Sequence, residues 1–412
     1  MVHHTMNTSI SKAARASSSN KIMAVFFQFT KRFLIIGGAL WLSACAVKTP
    51  LPAWPAPGQS SVPPAAVSQP ASPVSAPDAS GTRIQGKSRW VPVRWTDLPG
   101  FENDTLFEAW NAWIKSCERP GPTFAPLCPD IRRLSIASME DQRAWMMSRL
   151  QPYRVESLSG AADGLLTSYY EPVFRASRQA TASYAVPLYQ PPVGLASRKP
   201  WFSRQDIETL PEAKAALQGR EIAWLEDPID AMLLHIQGSG RLRLTEADGS
   251  QRTVRVAFAG TNEQPYRSIN QWLLEQGVSK INPWPDATKA WAAQNPQRVS
   301  QLLWSNPRYI FFREEALPEQ DVGFGPRGAQ GVQLTAGRSI AVDRQSIPYG
   351  TPVWLTSNGP SVQLQKLVLA QDTGSAIVGA VRADYFAGTG AEAGALASKV
   401  NQALKLWVLW PR

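Results

Sequence analysis

The pattern of hydrophobic positions changes period along the chain and predicts where helices and strands lie. Early in the folded part, apolar residues recur at helical spacing, which predicts an amphipathic helix packed on a core. A second helix is predicted at residues 141–150. The recurring apolar residues of the first helix are Leu106, Phe107, Trp110, Trp113 and Ile114.

Alternating and β-branched segments then predict strands, with helices between them. The predicted strands are 164–170, 185–189, 231–237, 242–244, 253–258, 309–312, 339–342, 351–355, 362–370 and 406–410. The predicted helices among them are 266–276, 285–293, 296–304 and 391–404. Many short strands separated by Gly and Pro turns favour a β-barrel or a β-sandwich with flanking helices.

The N-terminal segment carries a targeting signal. Lys31 and Arg32 precede a short apolar run, which is typical of a secretory signal and too short for a comfortable membrane span. The run ends in Leu-Ser-Ala-Cys at Cys45, which resembles the cleavage box of bacterial lipoproteins. We therefore expect a signal peptide at residues 1–44 and acyl chains on Cys45. An ordinary signal peptide followed by a chance cysteine is the alternative.

The residues after Cys45 predict where the protein is held. Ala46 stands where an inner-membrane retention signal would have Asp, so we expect a lipid anchor in the outer membrane, facing the periplasm. Residues 45–88 are Pro/Ala/Ser-rich and predict an extended tether with too little hydrophobic periodicity for a core. A linker without a required length is the alternative. The start of translation, at Met1, Met6 or Met23, is left open.

Charge and histidine content exclude several functional classes. Half of the formal net charge of +10 comes from Lys and Arg residues before Cys45, so the remainder favours an acidic polymer or an anionic membrane only weakly. No Lys/Arg-rich run with interleaved aromatics occurs, so we expect no nucleic-acid partner. Only His235 lies beyond the signal peptide, so a clustered His metal site is not expected and a Ser-His-Asp triad would depend on His235. Carboxylates are therefore the favoured acids and bases of an enzyme.

Two aspartates, Asp372 and Asp384, are the strongest candidates for chemistry. Both lie among small and apolar residues, which raise the pKa of a carboxyl and let it act as a general acid. Capping of their own turns is the alternative. Asp372-Thr373-Gly374 also matches the aspartic-protease signature, but the chain has no second copy, so only a homodimer would serve.

Further stretches predict substrate contacts. The adjacent tyrosines at 169–170 point to opposite faces of a strand, so Tyr170 is a candidate for a cleft, with a core position as the alternative. A Gly-Ser-Gly-Arg turn lacks the Lys-Ser/Thr of a phosphate loop and suits sugar hydroxyls or amides. Tyr266 is a candidate for stacking on a sugar, with a helix-capping turn as the alternative. The other candidate contacts are Gln237, Ser239, Gly240, Arg241, Asn262, Thr373 and Gly374.

Cys117 and Cys128 are the cysteines that remain after Cys45. An oxidising periplasm favours a local disulfide between them, which would close a small loop over Pro120 and Pro122. Buried free thiols are the alternative.

Separate motifs follow one another from about residue 164 to the end of the sequence. They are Ser168–Pro172, Ile236–Arg241, Gly260–Asn262, Tyr266–Ile269, Asn306–Phe312, Leu334–Asp343, Ile347–Gly350 and Asp372–Glu392. Together, and in this order, they resemble the membrane-bound lytic murein transglycosylase A family. Several motifs in order are far more specific than any one of them.

The resemblance implies a mainly β fold, in which a second β-rich domain is inserted into a double-psi β-barrel, with flanking helices. The barrel would combine residues 89–172 with residues 306–412, and the insert at 173–305 would complete the substrate groove. The catalytic C-terminal part resembles the 3D domain, which is named for three aspartates. Here they would be Asp343, Asp372 and Asp384.

The implied activity is non-hydrolytic cleavage of the β-1,4 bond between N-acetylmuramic acid and N-acetylglucosamine in peptidoglycan, which leaves 1,6-anhydromuramoyl ends. The family's single acid and base aligns with Asp384, and Asp372 would orient it and tune its pKa. This chemistry needs no metal and no organic cofactor. The implied partner is the glycan strand, and a partner in murein synthesis or division complexes is left open.

Two rival interpretations remain at this point. An inverting hydrolase on the same fold would use Asp384 as the acid and Asp372 as the base. A non-catalytic lipoprotein would only bind murein.

Overall fold

The structure is a computed structural model that describes residues 81–278 and 285–412. The predicted signal peptide, Cys45 and most of the predicted tether lie outside the described residues. Within the part that the structure describes, no helix is long and apolar enough to cross a membrane.

Fifteen strands and ten α-helices form in the described residues. The strands are β1 (Arg83–Gln85), β2 (Ser88–Pro92), β3 (Leu150–Ser157), β4 (Gly164–Glu171), β5 (Val173–Ser177), β6 (Val186–Tyr189), β7 (Glu221–Leu225), β8 (Ser239–Thr245), β9 (Gln251–Thr261), β10 (Ile310–Ala316), β11 (Ser339–Val342), β12 (Pro352–Asn358), β13 (Gln363–Asp372), β14 (Arg382–Thr389) and β15 (Asn401–Pro411). The helices are α1 (Leu106–Ser116), α2 (Cys128–Arg133), α3 (Met139–Arg149), α4 (Arg204–Thr209), α5 (Pro211–Leu217), α6 (Pro228–Gln237), α7 (Ile269–Glu275), α8 (Asp286–Gln294), α9 (Val299–Trp304) and α10 (Ala391–Ala397).

The larger sheet closes on itself. Its strand order is β1-β2-β3-β15-β12-β13-β11-β14-β4, and β15 pairs with β4 as well as with β3 and β12. Strands β4, β14, β11, β13, β12 and β15 therefore form a ring, in which β11–β13 and β14–β4 are parallel pairs. The prediction of a mainly β fold with flanking helices is confirmed, while the double-psi crossing of the connections stays a prediction.

Alternate residues of the barrel strands serve two different cores. Val353, Val368 and Val408 point into the barrel, where they pack with other apolar side chains of the ring. Their neighbours Trp354 and Trp407 point outward and are covered by the layer formed by α1, α2 and α3. Both faces are buried in β12 and in the C-terminal halves of β13 and β15, so these parts appear in the sequence as nearly continuous apolar runs. In the same helical layer a disulfide joins Cys117 and Cys128.

A second, six-stranded sheet lies between β4 and β11 in the chain. Its order is β10-β9-β8-β5-β7-β6, with β5 and β8 parallel. β10 pairs along its whole length with β9, so the second sheet runs on to Ala316 and past the boundary that we expected at residues 305–306. That boundary was drawn from motif order, whereas strand membership depends on a pairing partner about fifty residues earlier in the chain.

Two predicted elements are wrong in type or length. Residues 231–237 were predicted as a strand and form most of α6, which begins where the Asp227 carboxylate accepts a hydrogen bond from Ile229 N at 2.8 Å and ends at Gly238 in the left-handed region. The helix predicted at 391–404 stops at Ala397, because Asn401–Leu404 pair with β4 as the first part of β15.

The two sheets are joined by a buried ion cluster. Glu171, at the end of β4, accepts hydrogen bonds from Arg241 Nε at 2.8 Å and Arg255 Nε at 2.5 Å, and all three side chains are buried. Both guanidinium groups also donate to the carbonyl of Phe324. Since breaking a buried pair leaves an uncompensated charge, this cluster fixes how the second sheet meets the end of β4.

Candidate active site

Asp372 and Asp384 lie in one row across four neighbouring barrel strands. In the register of the sheet, Ala341 of β11 is paired with Asp372 on one side and with Asp384 on the other. Asp384 is paired in turn with Thr167 of β4. Two strand spacings separate the aspartates, so their Cα atoms lie about 10 Å apart.

A β-bulge turns Asp372 toward this row. In regular alternation Asp372 would follow Val368 and Ala370 into the barrel interior. The register between β11 and β13 shifts after Ile340, however, and the extra residue is Gln371. Gln371 is buried and donates to the Ala112 carbonyl of α1 at 2.8 Å, while Asp372 comes to lie on the outer face with Ala341 and Asp384. Bulges of this kind commonly re-aim a side chain beside an active site.

Asp384 is a partly buried carboxylate with one strong donor. The Thr167 hydroxyl donates to Asp384 Oδ1 at 2.5 Å, and Thr167 in turn accepts a hydrogen bond from Arg382 at 2.8 Å. Burial raises the pKa of Asp384 from its ordinary value to about 6, against the opposing effects of Thr167 and Arg382. The negative charge of Asp372 adds to this rise of the pKa.

The raised pKa gives Asp384 an accessible protonated form. A carboxyl with a pKa of about 6 is protonated in roughly one molecule in ten at pH 7, against roughly one in a thousand for an ordinary aspartate. Because Oδ1 already accepts the Thr167 proton, the acidic proton is carried by Oδ2. Asp384 therefore has the protonation state and the free oxygen of a general acid that later acts as a base.

Asp372 is held by three donors. Its Oδ1 accepts from the backbone N–H of Ala329 and of Thr373, each at 2.9 Å, and its Oδ2 accepts from the Tyr169 hydroxyl at 2.7 Å. Burial raises the pKa of Asp372, and these hydrogen bonds oppose the rise. With its oxygens occupied, Asp372 is suited to orient the site and to supply a fixed charge.

Asp343 holds the loop that connects the two aspartates. It accepts hydrogen bonds from Gly379 N at 3.0 Å, from Gln345 N at 3.0 Å and from Lys87 Nζ at 3.1 Å. Burial alone would raise the pKa of Asp343, but these donors outweigh it and hold the pKa below its usual value. Lys87 lies in the turn between β1 and β2, so Asp343 ties that hairpin to the loop between β13 and β14.

Several predicted substrate contacts lie where a substrate has access to them. Thr373 is exposed and Gly374 is partly buried, both directly after Asp372, although the Thr373 hydroxyl donates to the Val342 carbonyl. Tyr170 and Gln237 are partly buried and lie together, since Tyr170 N donates to Gln237 Oε1 at 2.9 Å. Tyr266 is 38% exposed in the loop before α7, and no hydrogen bond among the described residues joins it to the aspartates.

Other predicted contacts serve the fold. Asn262 is fully buried, donates to the carbonyls of Phe202 and Pro307, and accepts from Tyr309 N. Arg241 forms an ion pair with Glu171, and Ser239 and Gly240 are buried in β8. A side chain on Gly240 would collide with Leu234, so this glycine allows close packing of α6 on the sheet. We therefore assign these four residues to support of the fold and not to the substrate.

His235 does not serve as a catalytic base. It is buried against Tyr309 and Phe312, and its Nδ1 accepts a hydrogen bond from the buried Arg204 at 2.8 Å. Burial and the neighbouring guanidinium lower the pKa of His235 well below its usual value. Within residues 81–278 and 285–412, no three His, Cys, Asp or Glu side chains come together in a way that would hold a metal.

Sequence reasoning missed the residues that bond the aspartates. Thr167 and Tyr169 both belong to the stretch that suggested Tyr170. Their side chains lie on the outer face of β4, where Thr167 contacts Asp384 and Tyr169 contacts Asp372. The alternation Thr-Ser-Tyr-Tyr assigns Thr167 and Tyr169 to one face of a strand, which was the available signal. The contact of Ala329 with Asp372 depends on the path of the loop between β10 and β11, and no sequence pattern predicts it.

Comparisons with known proteins agree with the fold and cover both sheets. Residues 165–313 match the MltA specific insert domain, and residues 338–410 match the 3D domain. Membrane-bound lytic murein transglycosylase A of Escherichia coli (strain K12) is 30% identical over 280 residues, which cover 65% of this chain and 72% of that protein. The solved structure of the lytic transglycosylase LtgG of Burkholderia pseudomallei is 40% identical with a TM-score of 0.56, over 80% of this chain and 97% of that chain. The structure of MltA from Neisseria gonorrhoeae is 29% identical with a TM-score of 0.66, over 81% of this chain and 95% of that chain.

Proposed function

Because the chain belongs to the family of MltA lytic murein transglycosylases, we propose that it cleaves peptidoglycan without water and that Asp384 is its single acid and base. The bond cut is the β-1,4 link between N-acetylmuramic acid and N-acetylglucosamine. The observation that carries the assignment is the environment of Asp384, where burial raises the pKa to about 6 while Oδ2 accepts no hydrogen bond from the residues that the structure describes.

In the first step Asp384 gives its Oδ2 proton to the glycosidic oxygen. The bond from that oxygen to the anomeric carbon breaks, the N-acetylglucosamine hydroxyl leaves, and positive charge develops on the muramoyl ring. Asp384 becomes a carboxylate at this point. Thr167 stabilises that carboxylate through Oδ1, and the nearby Arg382 supports it electrostatically.

In the second step the muramoyl 6-hydroxyl attacks the anomeric carbon of the same sugar. Its proton passes to the Asp384 carboxylate, which restores the acid, and a 1,6-anhydro ring forms. No water is consumed. A hydroxyl held in the same molecule has a large effective concentration compared with water, so one carboxyl suffices for both steps.

Asp372 is proposed as the residue that orients and tunes the site. Its bonds to Tyr169, Ala329 and Thr373 leave it little freedom to activate a water. Its charge, two strands away, disfavours ionisation of Asp384 and so helps to keep the acid protonated. Tyr170, Gln237, Tyr266, Thr373 and Gly374 remain the proposed contacts for the peptidoglycan substrate.

The test is replacement of Asp384 by Asn or Ala. The variant should stay folded and bind murein, and it should release no 1,6-anhydromuropeptides that mass spectrometry can detect. Substantial release by either variant would refute the role of Asp384.

An inverting hydrolase is the second candidate, favoured by the distance between the aspartates. In inverting glycosidases the two carboxyl groups lie about 6.5–9.5 Å apart, and a separation of about 10 Å between the Cα atoms of Asp372 and Asp384 is compatible with that range. Hydrolysis adds the mass of one water to each product, whereas transglycosylation does not. The masses of the soluble products therefore decide between the two.

We also propose that Cys45 is lipidated and that residues 45–88 tether the enzyme to the outer membrane, with the catalytic part in the periplasm. The supporting observations are the Leu-Ser-Ala-Cys box and the Pro/Ala/Ser composition. Metabolic labelling with palmitate should mark the chain, and Cys45→Ser should abolish the label. A partner in murein synthesis or division complexes would be reached from that position.

A further inference from the structure

A surface cavity of about 500 Å³ opens beside Asp372. It is formed by the turn between β1 and β2, the loop after β11 and the loop after β13. Ala329 and Thr373, whose backbone N–H groups hold Asp372, also line it, so the cavity and the aspartate row are contiguous. Its lining includes the side chains of Lys87, Asp343, Arg344, Tyr349 and Val378.

The walls of the cavity carry a free positive charge. Lys87 and Asp343 neutralise each other in an ion pair at 3.1 Å. Arg344 is exposed and makes no ion pair with the residues that the structure describes. Its guanidinium is therefore available to an anionic ligand, and its fork of donors matches a carboxylate.

The remaining walls suit a peptide. The hydroxyls of Tyr349, Thr373 and Ser375 and the backbone of Gly374 supply polar groups. Val378, on the loop after β13, is 60% exposed and adds an apolar surface to the same cavity. An amide chain with small apolar side chains and a carboxylate would satisfy all three kinds of surface.

The position of the cavity fixes where such a ligand would come from. Asp384 and Asp372 are two strand spacings apart, so the cavity begins about 10 Å from the acid. An extended peptide covers about 3.3–3.6 Å per residue, and about three such units reach from Asp384 to the cavity. In peptidoglycan the muramoyl sugar carries a lactyl group and then a stem peptide that bears free carboxylates.

We propose that this cavity binds the acidic stem peptide of the muramoyl sugar that is being cut, and that Arg344 pairs with a stem carboxylate. The inference rests on the proposed function, because it places the muramoyl sugar at Asp384. Such a site predicts that the enzyme cleaves glycan strands with stem peptides more efficiently than bare glycan strands.

The test compares two substrates prepared from one murein sample, glycan strands with their stem peptides and strands freed of peptides by an amidase. Formation of 1,6-anhydro ends gives kcat/KM for each. The wild-type protein should prefer the peptide-bearing strand by about three- to fivefold, at the upper end of what an exposed ion pair gives. Arg344→Gln should lose this preference without a change on the bare strand, and Arg344→Lys should keep part of it.

Arg243→Gln is the matched control. Arg243 is also an exposed arginine, on β8 of the second sheet, and its replacement should leave both rates unchanged. Equal wild-type rates on both strands, or an equal loss on both in Arg344→Gln, would overturn the peptide site and leave the transglycosylase assignment standing. If neither strand yields 1,6-anhydro ends, the proposed function falls and the peptide site falls with it.

Discussion

Replacement of Thr167 by Val tests whether the hydroxyl that bonds Asp384 sets the strength of the catalytic acid. The hydroxyl donates to Oδ1 at 2.5 Å and favours the carboxylate. A hydrogen bond to a charged group contributes about 1.5–3 kcal/mol, and one pKa unit corresponds to about 1.4 kcal/mol. Removal of the bond should therefore raise the pKa of Asp384 by roughly one to two units, from about 6 to roughly 7–8.

The assay is kcat/KM for release of 1,6-anhydro products between pH 4 and 9. Because the reaction begins with protonated Asp384, the fall of activity at high pH should move up by roughly one to two units in Thr167→Val. The variant acid is weaker, so its plateau at low pH should be lower and the two profiles should cross. At pH 8 the variant should then be the faster enzyme.

The control is Ser168→Ala. Ser168 is the next residue of β4, and its hydroxyl donates to the Tyr385 carbonyl at 2.6 Å and not to an aspartate. This variant should keep the wild-type position of the high-pH limb, and Thr167→Ser should restore it. If the limb of Thr167→Val coincides with that of the wild type or moves to lower pH, the proposed role of the bond is refuted.

Three further predictions follow from the same site and its support. For the wild type, kcat/KM should fall about tenfold per pH unit above about 6, because the pKa of Asp384 is raised to that value; a flat profile up to pH 8 would contradict an acid role for Asp384. Asp384→Asn should be more stable than the wild type at pH 7.5 by up to about 3 kcal/mol before solvent screening, since a folded-state pKa raised above the unfolded value costs stability as the pH rises from about 4 to about 6. Urea unfolding at pH 7.5 and at pH 4 should show that the difference in stability vanishes near pH 4. An equal difference at the two pH values would count against ionisation of Asp384 as its cause. Double replacement of Cys117 and Cys128 by Ala should lower the free energy of unfolding by about 2–4 kcal/mol, because their bond closes a loop between residues 11 apart; an unchanged urea midpoint would argue against it.

Local patterns predicted five of the six strands of the barrel ring, but not β14, which carries Asp384, and not every element of the second sheet. β11, β12 and β13 appear in the sequence as short apolar runs between turns, and the structure has them at nearly the predicted positions. Residues 231–237 are apolar on almost every side because α6 is buried, so their periodicity does not separate helix from strand. The start signal Asp227-Pro228 and the stop signal Gly238 were the better guide.

Long-range pairing explains most of the remaining differences. Asn401–Leu404 continue a helical pattern, and they become strand because β4, more than 200 residues earlier, supplies the pairing partner. The candidate site shows the same limit. The two aspartates were recognisable from their own surroundings, whereas Thr167 reaches Asp384 only through the parallel pairing of β4 with β14. The local alternation predicts the face of β4 on which Thr167 lies, but not the residue that it contacts.

Closure of the barrel by β15 has a consequence for the biosynthesis of the protein. β15 pairs with β3, β12 and β4. A nascent chain whose residues 401–411 have not yet left the ribosome therefore lacks the strand that completes the ring. Non-local pairings of this kind form late and slowly. The strands that carry Thr167 and Asp384 would therefore become a working site only after the chain has been made past Asn401. A lytic transglycosylase would in this way be inactive while its own chain is still being made.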